Sequence, residues 1–140
     1  SYVLHHIPDL VLLCAECHRV LTHGCVAFIT VPETFIQNHP LNAYFPSVAV
    51  VDGNRFQPVG DVLDALNEAG FDHVGQDHCV GPPRPVDEDY AKRIADKFIS
   101  TYDLIPEDEF RDGLVRLRAD IAAGKALSIA REATVVWGYA

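Results

Sequence analysis

The chain predicts an α/β fold in which helices alternate with the strands of one sheet. Three observations lead there. Leu10, Leu13, Cys14, Cys17 and Leu21 recur at helical spacing and are followed by the apolar run Val26-Ala27-Phe28-Ile29-Thr30-Val31. Val59, Val62, Leu63 and Leu66 repeat the helical stripe ahead of Gly70 and a second β-rich segment. A third such segment, Ala133 to Tyr139, closes the chain. Spacings of three and four mark a helix with one buried face, and short apolar runs between turn residues mark strands covered on both faces.

In order, the first helix is expected over Asp9 to Leu21, entered at Ile7-Pro8, and the first strand over Val26 to Val31, ended by Pro32. Residues 33–58 read as irregular, because Asn38-His39-Pro40 and Asp52-Gly53-Asn54 are turn sequences, with Val48 to Val51 as a short strand or edge piece. A helix then spans the Val59 stripe with Gly70 as its C-cap, and Phe71 to Gly75 forms the next strand. Gly81-Pro82-Pro83-Arg84-Pro85 reads as a stiff linker. Asp87 caps a helix with apolar positions Ala91, Ile94, Ala95, Phe98 and Tyr102. Pro106 opens another, striped by Phe110, Leu114, Leu117 and Ile121 and closed by Gly124. No internal repeat is visible.

A length of 140 residues predicts one domain with room for a core. Apolar content of 49% and charged content of 22% are ordinary for a globular chain. No run of about 18 apolar residues predicts a membrane span, and no basic segment leading into an apolar one suggests export, so a cytoplasmic protein is expected. The formal charge of −9 arises within residues 61–112, which hold 14 acidic and 5 basic residues, while the remainder balances at 6 and 6. Such a surface repels phosphate backbones, which argues against nucleic acid as a partner, and it reads as a solvated face. The sequence contains no methionine, even at position 1, so a fragment or a processed start is expected.

Cys14-Ala15-Glu16-Cys17-His18 satisfies the C-x-x-C-H pattern of covalent haem attachment, and Cys14, Cys17, His23 and Cys25 can be drawn as a zinc site. Neither has supporting residues. The segment carries an apolar helical stripe, and no second C-x-x-C or H-x₃-H follows. Buried cysteine acting as a small apolar residue is the reading preferred, with no metal expected.

Ahead of the first helix stands Leu4-His5-His6-Ile7-Pro8-Asp9, a polar turn with two adjacent histidines. In doubly wound sheets such helix entrances lie at the carboxyl ends of strands, where ligands bind. This turn, then Arg19-Val20-Leu21, a tight turn and a strand, resembles the second half of class I S-adenosylmethionine-dependent methyltransferases of the UbiE-like, small-molecule type. The family usually writes the turn Pro-Gly-Gly where this chain has His23-Gly24-Cys25. Weaker similarity runs through Phe45-Pro46 to Arg55-Phe56, Leu63 to Phe71, Glu109 to Leu117 and the final strand.

The resemblance implies a single partial domain over 1–140, the C-terminal half of a Rossmann-like seven-stranded sheet. The three strands would be the fifth, sixth and seventh, the last antiparallel and slotted between the other two, with a helical insert at about 86–124 near the site. It implies Ser1 and Tyr2 beside the cofactor and His5 or His6 as the base that removes the acceptor's proton, histidine titrating near neutrality. The alternative for either histidine is core packing or capping of the helix at Asp9. Some relatives carry an acid where this chain has Val31, and Glu33 is the nearest carboxylate. Tyr44, Arg55 and His39 lie where acceptor contacts are common.

The family's glycine-rich turn after the first strand, which lets backbone approach the cofactor, has no counterpart in this sequence. The expectation is a transferase that methylates a small molecule, of which this chain alone binds S-adenosylmethionine weakly or not at all. The strand at Val26 should present an open edge, so pairing with a missing N-terminal half or self-association is expected. The alternatives are a non-catalytic interaction module or degenerate methyltransferase subunit and, further off, a Cys/His metal or c-type haem protein.

Overall fold

The computed structural model describes residues 3–140. The elements are α1 (Leu10–Val20), β1 (Cys25–Thr30), α2 (Glu33–Gln37), α3 (Pro46–Arg55), α4 (Val59–Glu68), β2 (Asp72–Pro85), α5 (Glu88–Ala95), α6 (Glu107–Ala122) and β3 (Ser128–Tyr139), with 3₁₀ turns at Leu4–His6, Pro40–Ala43 and Ser100–Asp103. They group into two compact units: a sheet unit of 1–35, 55–80 and 132–140, and a helical unit of 36–54 and 81–131.

In the sheet unit, Asp9 caps α1 by accepting the Leu12 amide at 2.8 Å, satisfying a donor with no partner inside the helix. The expected stripe faces inward. Cys14 is fully buried, and Leu10, Leu13, Cys17 and Leu21 pack with it against Leu4, Val62, Ala65, Leu66, Phe71 and Val136. Each fully buried large side chain of this kind contributes about 1.5–3 kcal/mol. The α4 helix stops at Gly70, whose φ of +89° suits glycine. There the Phe71 amide donates to Leu66 O and the Gly70 amide to Asn67 O, both at 3.1 Å, which closes the last turn.

β3 lies between β1 and β2. It runs antiparallel to β1, in register from Cys25 opposite Tyr139 to Thr30 opposite Thr134. Gly75 faces Trp137 and Gly81 faces Arg131, so β2 is also antiparallel to β3 and runs the same way as β1. A Cβ on Gly75 would stand 2.6 Å from Trp137 Cζ2, so the indole lies over this glycine.

Two expectations fail for local reasons. The Gly81–Pro85 stretch is no linker but the continuation of β2. β2 is an outer strand, where proline's fixed φ fits extended backbone and its missing N–H costs no ladder bond. Residues 33–58 are largely helical rather than irregular, and Val48 to Val51 belong to α3, not a strand. Pro46 stands at the helix start, a position that suits its φ. Val48 and Val51 are half-buried while Val50 is 64% exposed, a helical spacing rather than an alternation. β1 also begins and ends one residue early, and Cys25 and Ala27 are exposed, so it is not covered on both faces.

The helical unit is built around Phe45, fully buried, stacked on Phe110 at 5.9 Å and edge-on to Tyr102 at 5.4 Å. Gly113 of α6 lies against this ring: an added Cβ would press on Tyr44 O and come within 2.6 Å of Phe45 Cε1. Asp87 caps α5 by accepting the Tyr90 amide at 2.9 Å, as expected. α6 follows Pro106 and ends before Gly124 at φ +75°.

Candidate functional site

The histidine turn is fixed from both sides. Leu4, 2% exposed, is its apolar anchor, and the Ile7 amide donates to Leu4 O at 2.9 Å. Ile7 is extended, as a residue before proline must be, which ends the 3₁₀ turn before α1 starts. His5 and His6 are thus held on one turn with ring centroids 4.0 Å apart, and Phe56 lies 4.6 Å from the His5 ring, tilted by 33°.

His5 is half-buried and His6 exposed. The Nδ1 atom of His5 is buried without a hydrogen-bond partner among the described residues. Burial first, then the nearby His6 and Arg55, push its pKa below the ordinary histidine value. Neither histidine caps α1, since Asp9 does. The two residues expected beside the cofactor, Ser1 and Tyr2, lie outside the described residues.

Of the other candidates, Arg55 joins the histidine turn as one of the charges acting on His5. Glu33 sits in the first turn of α2, exposed, beside a cleft beyond the end of β1. Tyr44 and His39 belong to the helical unit. The Tyr44 hydroxyl donates to Asp120 Oδ2 at 2.6 Å, and the hydrogen bond to that carboxylate, with burial, raises its pKa. His39 accepts the Leu41 amide at Nδ1 at 3.3 Å and caps a 3₁₀ turn, and burial lowers its pKa. Both serve the fold there.

Cys14 faces the core, and burial followed by the neighbouring Cys17 pushes its thiol up to about 11. Such a thiol is inert at neutral pH. All four cysteines are free. His18 lies edge-on to Phe71 at 5.0 Å. Among the described residues no three His, Cys, Asp and Glu side chains gather as a metal needs, so the drawn set Cys14, Cys17, His23 and Cys25 is not assembled. Nor is any helix among them long and apolar enough to cross a membrane.

Sequence reasoning missed Phe56 as the companion of His5. It also missed the pairing of His78 Nε2 with Glu132 Oε2 at 3.3 Å and of Trp137 Nε1–H with Asp77 Oδ2 at 2.8 Å. These join residues about 50 or more apart in sequence, or a helix end to a turn, and no local spacing signals them.

No protein-family model matches the chain, and no curated protein matches it. A solved structure does. A candidate methyltransferase from an antibiotic biosynthesis pathway of Anabaena variabilis matches 98% of this chain with a TM-score of 0.77 and 22% sequence identity. This chain spans 63% of the length of that one. At such identity the likeness is one of fold, a mixed α/β fold of the methyltransferase kind.

Proposed function

We propose that the chain is the part of an S-adenosylmethionine-dependent methyltransferase that follows the fourth strand of a class I sheet, and that the enzyme methylates a small molecule. The observation that carries this reading is the sheet. Its last strand lies between the other two and antiparallel to them, within a fold matched by a candidate methyltransferase over 98% of the chain.

S-adenosylmethionine supplies a methyl group already activated by its sulfonium. What remains for the protein is alignment of the acceptor and removal of its proton. Ser1 and Tyr2 are the residues assigned to the cofactor, so among the described residues the fit is judged at His5. It suits the role of base. Among the described residues no hydrogen bond engages its ring, so in the neutral form a ring nitrogen keeps a lone pair that can take a proton from an O–H or N–H. Protonating the ring sets a positive charge beside His6 and Arg55 and in a partly desolvated place. Both effects keep the resting ring neutral and ready near neutral pH. Phe56 against one face holds the plane of the ring. His6, exposed on the same turn, is the alternate base.

The test uses the polypeptide that joins this chain to any residues encoded ahead of Ser1. Calorimetry should find micromolar binding of S-adenosylmethionine to that longer protein and weak or no binding to this chain alone. His5→Ala should lower kcat about 10²-fold, the scale of a lost general base, with cofactor affinity retained. A longer protein that fails to bind the cofactor, or unchanged turnover in both His5→Ala and His6→Ala, overturns the reading.

A further inference from the structure

A cleft of about 470 Å³ opens beyond the carboxyl end of β1 in the sheet unit. Pro32 and Glu33 line it from the segment after β1, Val59 from the start of α4, Gln76 and His78 from β2, and Thr134 from β3. Its volume falls within the range of small-ligand pockets, about 300–1,000 Å³. The carboxyl end of a sheet strand is also where α/β folds place their ligands.

Three polar side chains in the cleft are unengaged. Glu33 and Gln76 form no hydrogen bond or ion pair with any described residue. Thr134 is 4% exposed and lines the cleft, yet its hydroxyl makes no hydrogen bond either. That hydroxyl opens onto the cleft rather than being sealed in the core, so a ligand there can reach it. His78 differs, being held by Glu132 at 3.3 Å. No lysine or arginine lines the space, and its formal charge comes from Glu33, with Glu132 behind His78. An anion would meet uncompensated carboxylate there, and a cation would meet a free one. Pro32 and Val59 offer apolar surface beside it.

We propose that this cleft binds a small organic amine. The ammonium group pairs with Glu33, hydrogen-bonding groups of the ligand meet Gln76 and Thr134, and its apolar body lies on Pro32 and Val59. The inference goes beyond the methyl-transfer reading, because binding here needs neither a methyl donor nor His5.

The experiment titrates the ¹⁵N-labelled chain with tyramine and, separately, with 4-hydroxyphenylacetate, which has the same ring and a carboxylate in place of the amine. Tyramine is expected to shift the amides of Thr34, Gln76, His78 and Thr134 saturably, and 4-hydroxyphenylacetate to leave them in place. Glu33→Gln, an exposed change that spares the fold, should weaken tyramine about tenfold or more, the scale of one charge-assisted hydrogen bond. Thr134→Val, which keeps the shape of the side chain, should weaken it a few-fold. No saturable shift with tyramine, equal response to both compounds, or unchanged binding in Glu33→Gln overturns the proposal. Tyramine binding in a protein that proves unable to bind S-adenosylmethionine keeps the cleft and removes the enzyme, and the reverse pattern keeps the enzyme and removes the cleft.

Discussion

Tyr44 in the helical unit and His5 in the sheet unit both hold a polar atom in or near the protein interior, and the two are treated differently. The Tyr44 hydroxyl donates to Asp120, which also takes Lys125 Nζ at 2.7 Å, and Arg116 Nη2 donates to Tyr44 O at 2.9 Å. Around it, Ser47 gives its amide and hydroxyl to Glu109 at 2.9 and 2.6 Å, and Thr101 gives its hydroxyl to Asp52 at 2.6 Å. In the sheet unit, His5 Nδ1, Glu33, Gln76 and the Thr134 hydroxyl have no such partners among the described residues. The helical unit has one exception, Asn42 Oδ1, although the same side chain donates from Nδ2 to Ile36 O and Gln37 O. A satisfied polar network fixes a fold, whereas a buried polar atom without a partner, as at His5, and side chains left open to a cleft, as at Glu33, Gln76 and Thr134, are what a ligand can use. The comparison therefore places the denser polar network in one unit and the candidate chemistry in the other, each unit having its own apolar core.

The largest effect that would sharpen this division is in the helical unit. Phe45→Ala removes the ring at the centre of the aromatic cluster and leaves a cavity bounded by Tyr102 and Phe110. A loss of about 4 kcal/mol is expected in chemical denaturation, as for other fully buried phenylalanines. Phe56→Ala, at a half-buried ring, should cost clearly less while disturbing His5. If Phe56→Ala proved the more destabilising of the two, the histidine turn would belong to the scaffold.

How much of this division the sequence carried depends on distance along the chain. The stripes of α1, α4 and α6, the Gly70 and Gly124 stops and the Asp87 cap are local signals, and each lies where the spacing placed it. α5 instead stops at Ala95, so that Phe98 and Tyr102, expected on its stripe, lie beyond it, Tyr102 in a 3₁₀ turn after Lys97 at φ +49°. The place of β3 between its neighbours followed only from the resemblance. The helices within 33–58 were hidden because turn residues such as Asn38, Pro40 and Gly53 lie among short helical pieces. The proline run misled because its effect depends on whether the strand is an outer one, a property of the sheet. At the site, the two histidines were legible as a pair. Phe56, Arg55 and the orphaned Nδ1 that give His5 its character come together only in three dimensions.

A smaller, matched test compares the units through their helix starts. Asp9 and Asp87 each accept one amide three residues on, at 2.8 and 2.9 Å, and both are exposed. Asp9→Ala and Asp87→Ala should each cost about 1 kcal/mol by thermal or chemical denaturation, since the lost cap bond is the same. Asp9→Ala carries a second readout, because α1 begins just after the histidine turn. If the turn is held by Leu4 and Ile7-Pro8 as its hydrogen bonds indicate, the His5 and His6 ring resonances should stay in place while stability falls. Displaced ring resonances would make the cap part of the site.

The smallest effect is the most direct probe of the unsatisfied side of the comparison. His5 should titrate below the ordinary 6.5 when followed by NMR, because burial, His6 and Arg55 all disfavour the imidazolium. The folded state then binds fewer protons than the unfolded state in the interval below that value. The stability linked to His5 is fully present above about pH 6.5 and is lost as pH falls through the lowered pKa. His5→Gln should remove that part of the acid-side slope. Arg55→Gln, which relieves the weakest of the three causes, should move the His5 titration up only slightly, and His6→Gln should move it further. A titration at or above the ordinary value would mean that the ring has found a carboxylate or full hydration. His5 would then be as well satisfied as Tyr44, and the contrast between the two units would fail at the residue on which the proposed chemistry depends.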